Sequence, residues 1–87
     1  MILTGRVTLH GTSPAKHAVV ELHNVQGDVL DQMQVDLSGI YAFHLIPGTW
    51  QLRAWDKQGR RALVEVQVGD KDTVFDIDLT EREGASQ

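Results

Sequence analysis

Apolar side chains recur at every second position along most of this chain. That is the period of a half-buried strand, whose side chains point alternately to the two faces of a sheet. Leu3, Gly5, Val7 and Leu9 fall on one face of a first strand, Ile2 to Leu9, with Thr4, Arg6 and Thr8 on the other. Ala18, Val20 and Leu22 form the inner face of a second strand, His17 to Asn24, leaving His17, Val19, Glu21 and His23 outward. A third, Val29 to Val35, has no clean face, as an edge strand or one bent by a bulge would read. Ser38 to Asp56 reads as a β-hairpin. Tyr41, Phe43 and Leu45 point inward on its first strand, Pro47-Gly48 makes the turn, and Trp50, Leu52 and Ala54 point inward on its second. Ala62, Val64, Val66 and Val68 face inward on a strand from Arg61 to Val68, and Phe75, Ile77 and Leu79 on a last one from Thr73 to Leu79.

Gly, Pro, Asn and Asp clusters separate these runs at intervals of about 8–12 residues, the spacing of a β-sandwich. No segment keeps a 3.6-residue period long enough for a helix. The sequence therefore predicts an all-β fold, a seven-stranded antiparallel β-sandwich of Ig-like or prealbumin-like form. Residues 1–80 make one domain and 81–87, charged and small, a flexible C-terminal tail. Gly5 has no side chain to pack and marks a bulge or a close approach of backbone.

Composition narrows the function more than the fold. The chain has 87 residues and no cysteine, which removes disulfides, thiolate catalysis and cysteine-held metals. Its net charge of -4 argues against nucleic acid or an anionic membrane as partner. No apolar run is long enough to span a bilayer, and the N-terminus lacks a signal-peptide layout, so a cytoplasmic location is expected.

Four motifs carry a resemblance: Gly5-x-Val7, Ala18-x-Val20-x-Leu22, Gly39-x-Tyr41-x-Phe43 and Pro47-Gly48-x-Trp50-x-Leu52. Together they resemble the carboxypeptidase-regulatory-like, transthyretin-like superfamily of sandwiches, over residues 2 to about 79. Thr4-Gly5-Arg6-Val7 and Pro47 to Ala54 look more narrowly like a small actinobacterial-type family of unknown function (DUF1416-like). That family is often encoded beside thiosulfate sulfurtransferases. The resemblance implies an accessory role in sulfur metabolism and a sulfurtransferase as a protein partner. Family members usually carry a cysteine ahead of the first strand. This chain has none, so sulfur chemistry on that residue is not expected here. The superfamily includes hydroxyisourate hydrolases with a C-terminal Tyr-Arg-Gly-Ser signature. The ending Glu83-Gly84-Ala85-Ser86-Gln87 departs from it, so hydrolase activity is not expected.

His17 and His23 share a face with Glu21, but lie roughly 20 Å apart along a strand, too far for one ion. They read as solvated surface histidines, as does His44, while His10 in the adjoining loop lies near His17. Asp70, Asp72, Asp76 and Asp78, with Glu81 and Glu83 beyond, lack the spacing of a calcium loop and read as a guard against edge pairing. Ser13, Ser38 and Ser86 fall in turns or the tail, with no nucleophile elbow. Catalytic residues, metal ligands and cofactors are thus expected to be absent.

The remaining clue is the outer face of the strand after Pro47-Gly48, with Gln51, Arg53 and Trp55 as the candidate binding surface. Strict alternation points Trp55 outward, whereas a bulge after Ala54 would turn it back into the core. An exposed Trp beside an Arg suits a protein interface or a sugar-stacking platform. Leu63, Val19 and Ile40 are also outward and, if on one sheet, would form an apolar patch for a homo-oligomer or a partner. The leading expectation is a non-catalytic interaction module. The alternatives are a small-ligand or carbohydrate binder using Trp55, and a cryptic hydrolase or metal-binding protein.

Overall fold

Strict alternation leaves each strand with one apolar face, and two such faces must meet to exclude water. The computed structural model, which describes residues 1–9 and 13–79, shows how they meet. The expected tail 81–87, Glu81, Glu83, Ser86 and the approach of His10 to His17 lie outside the described residues. Among the described residues nine strands form: β1 (Ile2–Leu9), β2 (Ser13–Pro14), β3 (Val19–His23), β4 (Val29–Gln34), β5 (Ile40–His44), β6 (Gly48–Trp55), β7 (Arg61–Val68), β8 (Thr73–Val74) and β9 (Ile77–Asp78). Four of them make one sheet in the order β4-β3-β6-β7. In the other sheet β1 is central, with β5 and β2 antiparallel to it and β8 and β9 parallel to it.

Tyr41, Leu3, Leu52, Ile77, Leu79, Val7 and Val20 are the largest side chains wholly removed from solvent, and they come from both sheets. Trp50, Val64, Ala62, Phe75, Met33 and Leu9 are half-buried around them. The inward faces read from alternation are therefore the core, and the fold is the expected all-β sandwich.

Three local readings are corrected. Ser38 to Asp56 is not a hairpin: β5 pairs with β1, while β6 pairs with β3 and β7. Chain between β5 and β6 crosses from one sheet to the other, with Trp50 Nε1 donating to the Ile46 carbonyl at 3.1 Å. The physical reason is the core itself. Crossing sets Tyr41 and Phe43 on one sheet against Leu52 and Ala54 on the other, whereas a hairpin would keep all four in one layer. Second, the last strand is broken into β8 and β9 around Phe75-Asp76, and it runs parallel rather than antiparallel to its partner β1. Third, β3 begins at Val19, because His17 takes a left-handed conformation, φ 66°, in the turn that closes Ala18 N–H on Ala15.

Tight turns follow one pattern. Asn24, Asp36 and Asp56 each accept from backbone N–H groups two and four residues on, and a glycine with positive φ sits three residues after each. The short acidic or amide side chain mimics a backbone turn, and glycine takes the conformation other residues resist. β4 is an exposed edge strand whose pairing with β3 shifts register between Leu22 and His23, so both devices suggested by its mixed pattern are present.

Candidate functional site

β6 is the inner strand that builds the outer face of the four-stranded sheet, because β3 and β7 hold it on both sides without a register shift. No bulge follows Ala54, so alternation persists and Trp55 points outward with Arg53 and Gln51. Trp55 does not turn back into the core. Its indole is half-buried and Arg53 is exposed, with the guanidinium carbon 5.9 Å from the centre of the Trp55 ring. That distance is within the range of a cation–π contact.

Register now assembles the neighbours. One row across the sheet reads Val19, Trp55, Arg61; the next reads Glu21, Arg53, Leu63; a third reads His23, Gln51, Glu65. Glu21, Arg53, Trp55, Asp56, Gly59 and Arg61 line an open pocket of about 350 Å³. Asp56 and Gly59 reach it because the turn after β6 folds back, with the Asp56 carboxylate accepting from Arg60 Nη1 at 2.8 Å. That pairing commits Asp56 to its own turn; Arg53, Arg61 and Glu21 are the other charged residues that line the pocket.

His23 is not the solvated histidine expected from its outward position. It is only 9% exposed, and its Nε2 lies 2.7 Å from Glu21 Oε1. Glu21 is nearly as covered, its side chain 14% exposed. A carboxylate this enclosed costs free energy unless its oxygens are hydrogen-bonded, and His23 supplies one such partner. The pair fixes the Glu21 carboxylate as a wall of the pocket. Gln51 lies in the row beyond and does not line the pocket.

The other candidates scatter. His17 is exposed in the turn before β3 and His44 is exposed on β5 in the other sheet, and among the described residues no three His, Asp or Glu side chains gather as metal ligands. Ile40 lies on β5 in the opposite sheet from Val19 and Leu63, so the three do not form one apolar patch. Two of the aspartates after Gly69 do more than guard an edge: Asp72 accepts from the Ile2 N–H at 3.0 Å and Asp76 from the Arg6 N–H at 2.9 Å. They complete the hydrogen bonding of β1. Glu21, Asp56, Gly59 and Arg61 were missed as site residues. Glu21 carried a signal, since it shares the outward face of its strand, but the three others depend on cross-strand register, which alternation does not reveal.

With this geometry in place, the comparisons with known proteins bear on the fold. A family described as protein of unknown function (DUF1416) matches residues 1–80. Among solved structures, a 5-hydroxyisourate hydrolase from Klebsiella pneumoniae superposes with a TM-score of 0.68 at 21% identity, covering 93% of each chain. A DUF3823 family protein from Parabacteroides merdae also gives a TM-score of 0.68 at 21% identity, over 91% of this chain and 45% of that one. At such identity the likeness is one of fold, a transthyretin-like sandwich. A search of curated proteins finds no match.

Proposed function

The chain belongs to the DUF1416 family of proteins of unknown function, and from that premise we propose that it is a non-catalytic binding module for a small carbohydrate bearing an acidic group. Fold likeness alone assigns no activity, so the reading rests on the pocket. The observation that carries it is the placement of Trp55, Arg53, Arg61 and Glu21 around one cavity by unbroken register. An indole offers a flat apolar surface to the C–H face of a sugar ring. Guanidinium groups match a carboxylate in a planar, two-pronged geometry. The Glu21 carboxylate, steadied by His23, accepts from ring hydroxyls. A cavity of about 350 Å³ holds one sugar unit with room at its open side.

Titration of Trp fluorescence with glucuronate, galacturonate and their neutral counterparts tests this. A Trp50→Phe background isolates the Trp55 signal. The acidic sugars should shift emission saturably, Trp55→Ala should abolish binding, and Arg53→Gln should weaken the acidic sugars by about tenfold, while the neutral ones change little. Recovery of the sugar unchanged after long incubation is expected. Formation of a product would replace the binding module with an enzyme, and a flat response to every sugar would remove the reading. Exposed Leu63 beside Arg53 favours a second reading, the protein partner implied by the family resemblance. Capture of a sulfurtransferase that Trp55→Ala abolishes would support that one.

A further inference from the structure

Three connections meet at one end of the sandwich. Residues 24–28 join β3 to β4, 45–47 carry the chain from β5 across to β6, and 69–72 lead from β7 to β8. Register sets them together. His23 pairs with both Val29 and Gln51, Gly48 with Val68, Ile2 with His44, and Leu3 with Thr73. Among the described residues nine large apolar side chains are exposed, and six of them, Met1, Ile2, Val25, Val29, Leu30 and Ile46, belong to this end. Of the other three, Leu63 and Val74 stand singly on the outer faces of the two sheets. Leu37 lies in the turn at the far end, where the Gly39 carbonyl accepts from the Val7 N–H.

Single exposed apolar residues are ordinary, whereas a concentration of them at one place marks an interaction surface. Ile46 is 72% exposed at the crossing from β5 to β6. Trp50, whose Nε1 donates to the Ile46 carbonyl, packs on the core yet stays half-buried. A part-covered indole among exposed aliphatic side chains is the usual anchor of a binding surface.

Charge at the same end selects the occupant. Asp28, Asp31, Asp70 and Asp72 stand there against Lys71 and the Met1 amino group. Asp72 holds the Ile2 N–H at 3.0 Å and Asp28 the Asn24 side-chain amide at 3.2 Å, so both carboxylates sit at the margin of the apolar residues. An apolar centre with an acidic margin suits a partner with the opposite margin. A second copy docked end to end about a two-fold axis would bring the carboxylates against their own kind. An anionic lipid surface would repel them in the same way.

We infer that this end of the sandwich, centred on Ile46 and Trp50, docks a protein segment whose apolar side chains are flanked by Lys and Arg. The surface is separate from the Trp55 pocket, which lies on the outer face of the four-stranded sheet.

A short amphipathic peptide of leucine and lysine, labelled with fluorescein, is the probe, and its leucine–glutamate counterpart is the control. By anisotropy the Leu–Lys peptide should bind saturably and the Leu–Glu peptide at least tenfold more weakly. Ile46→Ser combined with Val25→Ser should weaken binding about tenfold, and Leu37→Ser, equally exposed at the far end, should leave it unchanged. Asp70→Lys should weaken it about threefold at low salt, and the difference should vanish at high salt. Circular dichroism of each variant checks that the sandwich is retained. No saturable binding, equal binding of the two peptides, or an equal loss from Leu37→Ser overturns the proposal. Sedimentation equilibrium that shows a dimer dissolved by Ile46→Ser assigns this end to a second copy instead. Flotation with phosphatidylcholine vesicles that Ile46→Ser abolishes assigns it to a membrane, and either result also overturns the proposal.

Discussion

Gly5 and Tyr41 act as one device. They sit opposite each other across β1 and β5, and the Tyr41 ring occupies the space a side chain at position 5 would need. On the other side of β1, a Cβ at Gly5 would lie 1.9 Å from the Phe75 carbonyl oxygen. The Tyr41 hydroxyl donates to that same oxygen. Burial raises the Tyr41 pKa well above the ordinary phenol value, and the nearby Asp76 carboxylate raises it further. A group whose pKa rises on folding contributes its stability fully below its unfolded pKa, about 10, and loses that contribution as pH climbs above it. Tyr41→Phe should therefore cost about 1–3 kcal/mol in urea unfolding at neutral pH, by taking the donor from the Phe75 carbonyl. It should also flatten the fall in stability above pH 10, and a variant that keeps the wild-type alkaline slope would contradict this account. The sequence offered a bulge or a close backbone approach at Gly5, of which the close approach is what forms, and it placed Tyr41 in the core, where it lies. Their shared closeness to the Phe75 carbonyl was not legible, because it joins residues brought together only by the break in the last strand.

At the scale of elements, that break explains Asp76. Where β8 ends, Phe75 turns its carbonyl toward Tyr41, and the ladder with β1 loses an acceptor. The Asp76 carboxylate replaces it by taking the Arg6 N–H. Asp76→Ala should cost about 1–2 kcal/mol and speed hydrogen exchange at the Arg6 amide, with the Phe75 amide, which donates to Thr4, affected less. Equal acceleration at both amides would mean that the whole strand had loosened instead. Alternation revealed strands and their inward faces throughout, because a period of two reports inside against outside. It does not report which sheet a strand joins, so the arch from β5 to β6 read as a hairpin and the parallel β9 read as antiparallel. Trp55 was decided by β3 and β7, which clamp β6 on both sides and leave no room for a bulge. The burial of His23 against Glu21 was hidden for the same reason: it depends on neighbours across the sheet.

For the molecule as a whole, the controlling feature is the central place of β1. Its parallel partners β8 and β9 lie some 70 residues further along the chain, the separation of the Ile2–Asp72 and Arg6–Asp76 bonds. Contacts of that separation must absorb a large loop-closure entropy before burial rewards them. Stopped-flow refolding followed by Trp fluorescence should accordingly show a main phase in milliseconds to seconds, as for other sandwiches, and a microsecond phase carrying the full amplitude would refute this ordering. The same topology bears on synthesis in the cell. Translation at about 5–20 residues per second separates the first strand from its last partner by roughly 4–14 seconds. Through that interval Leu3 and Val7 have no closed sheet to enter. Until β8 and β9 have been made, the nascent chain thus carries β1 as an apolar strand whose sheet is incomplete.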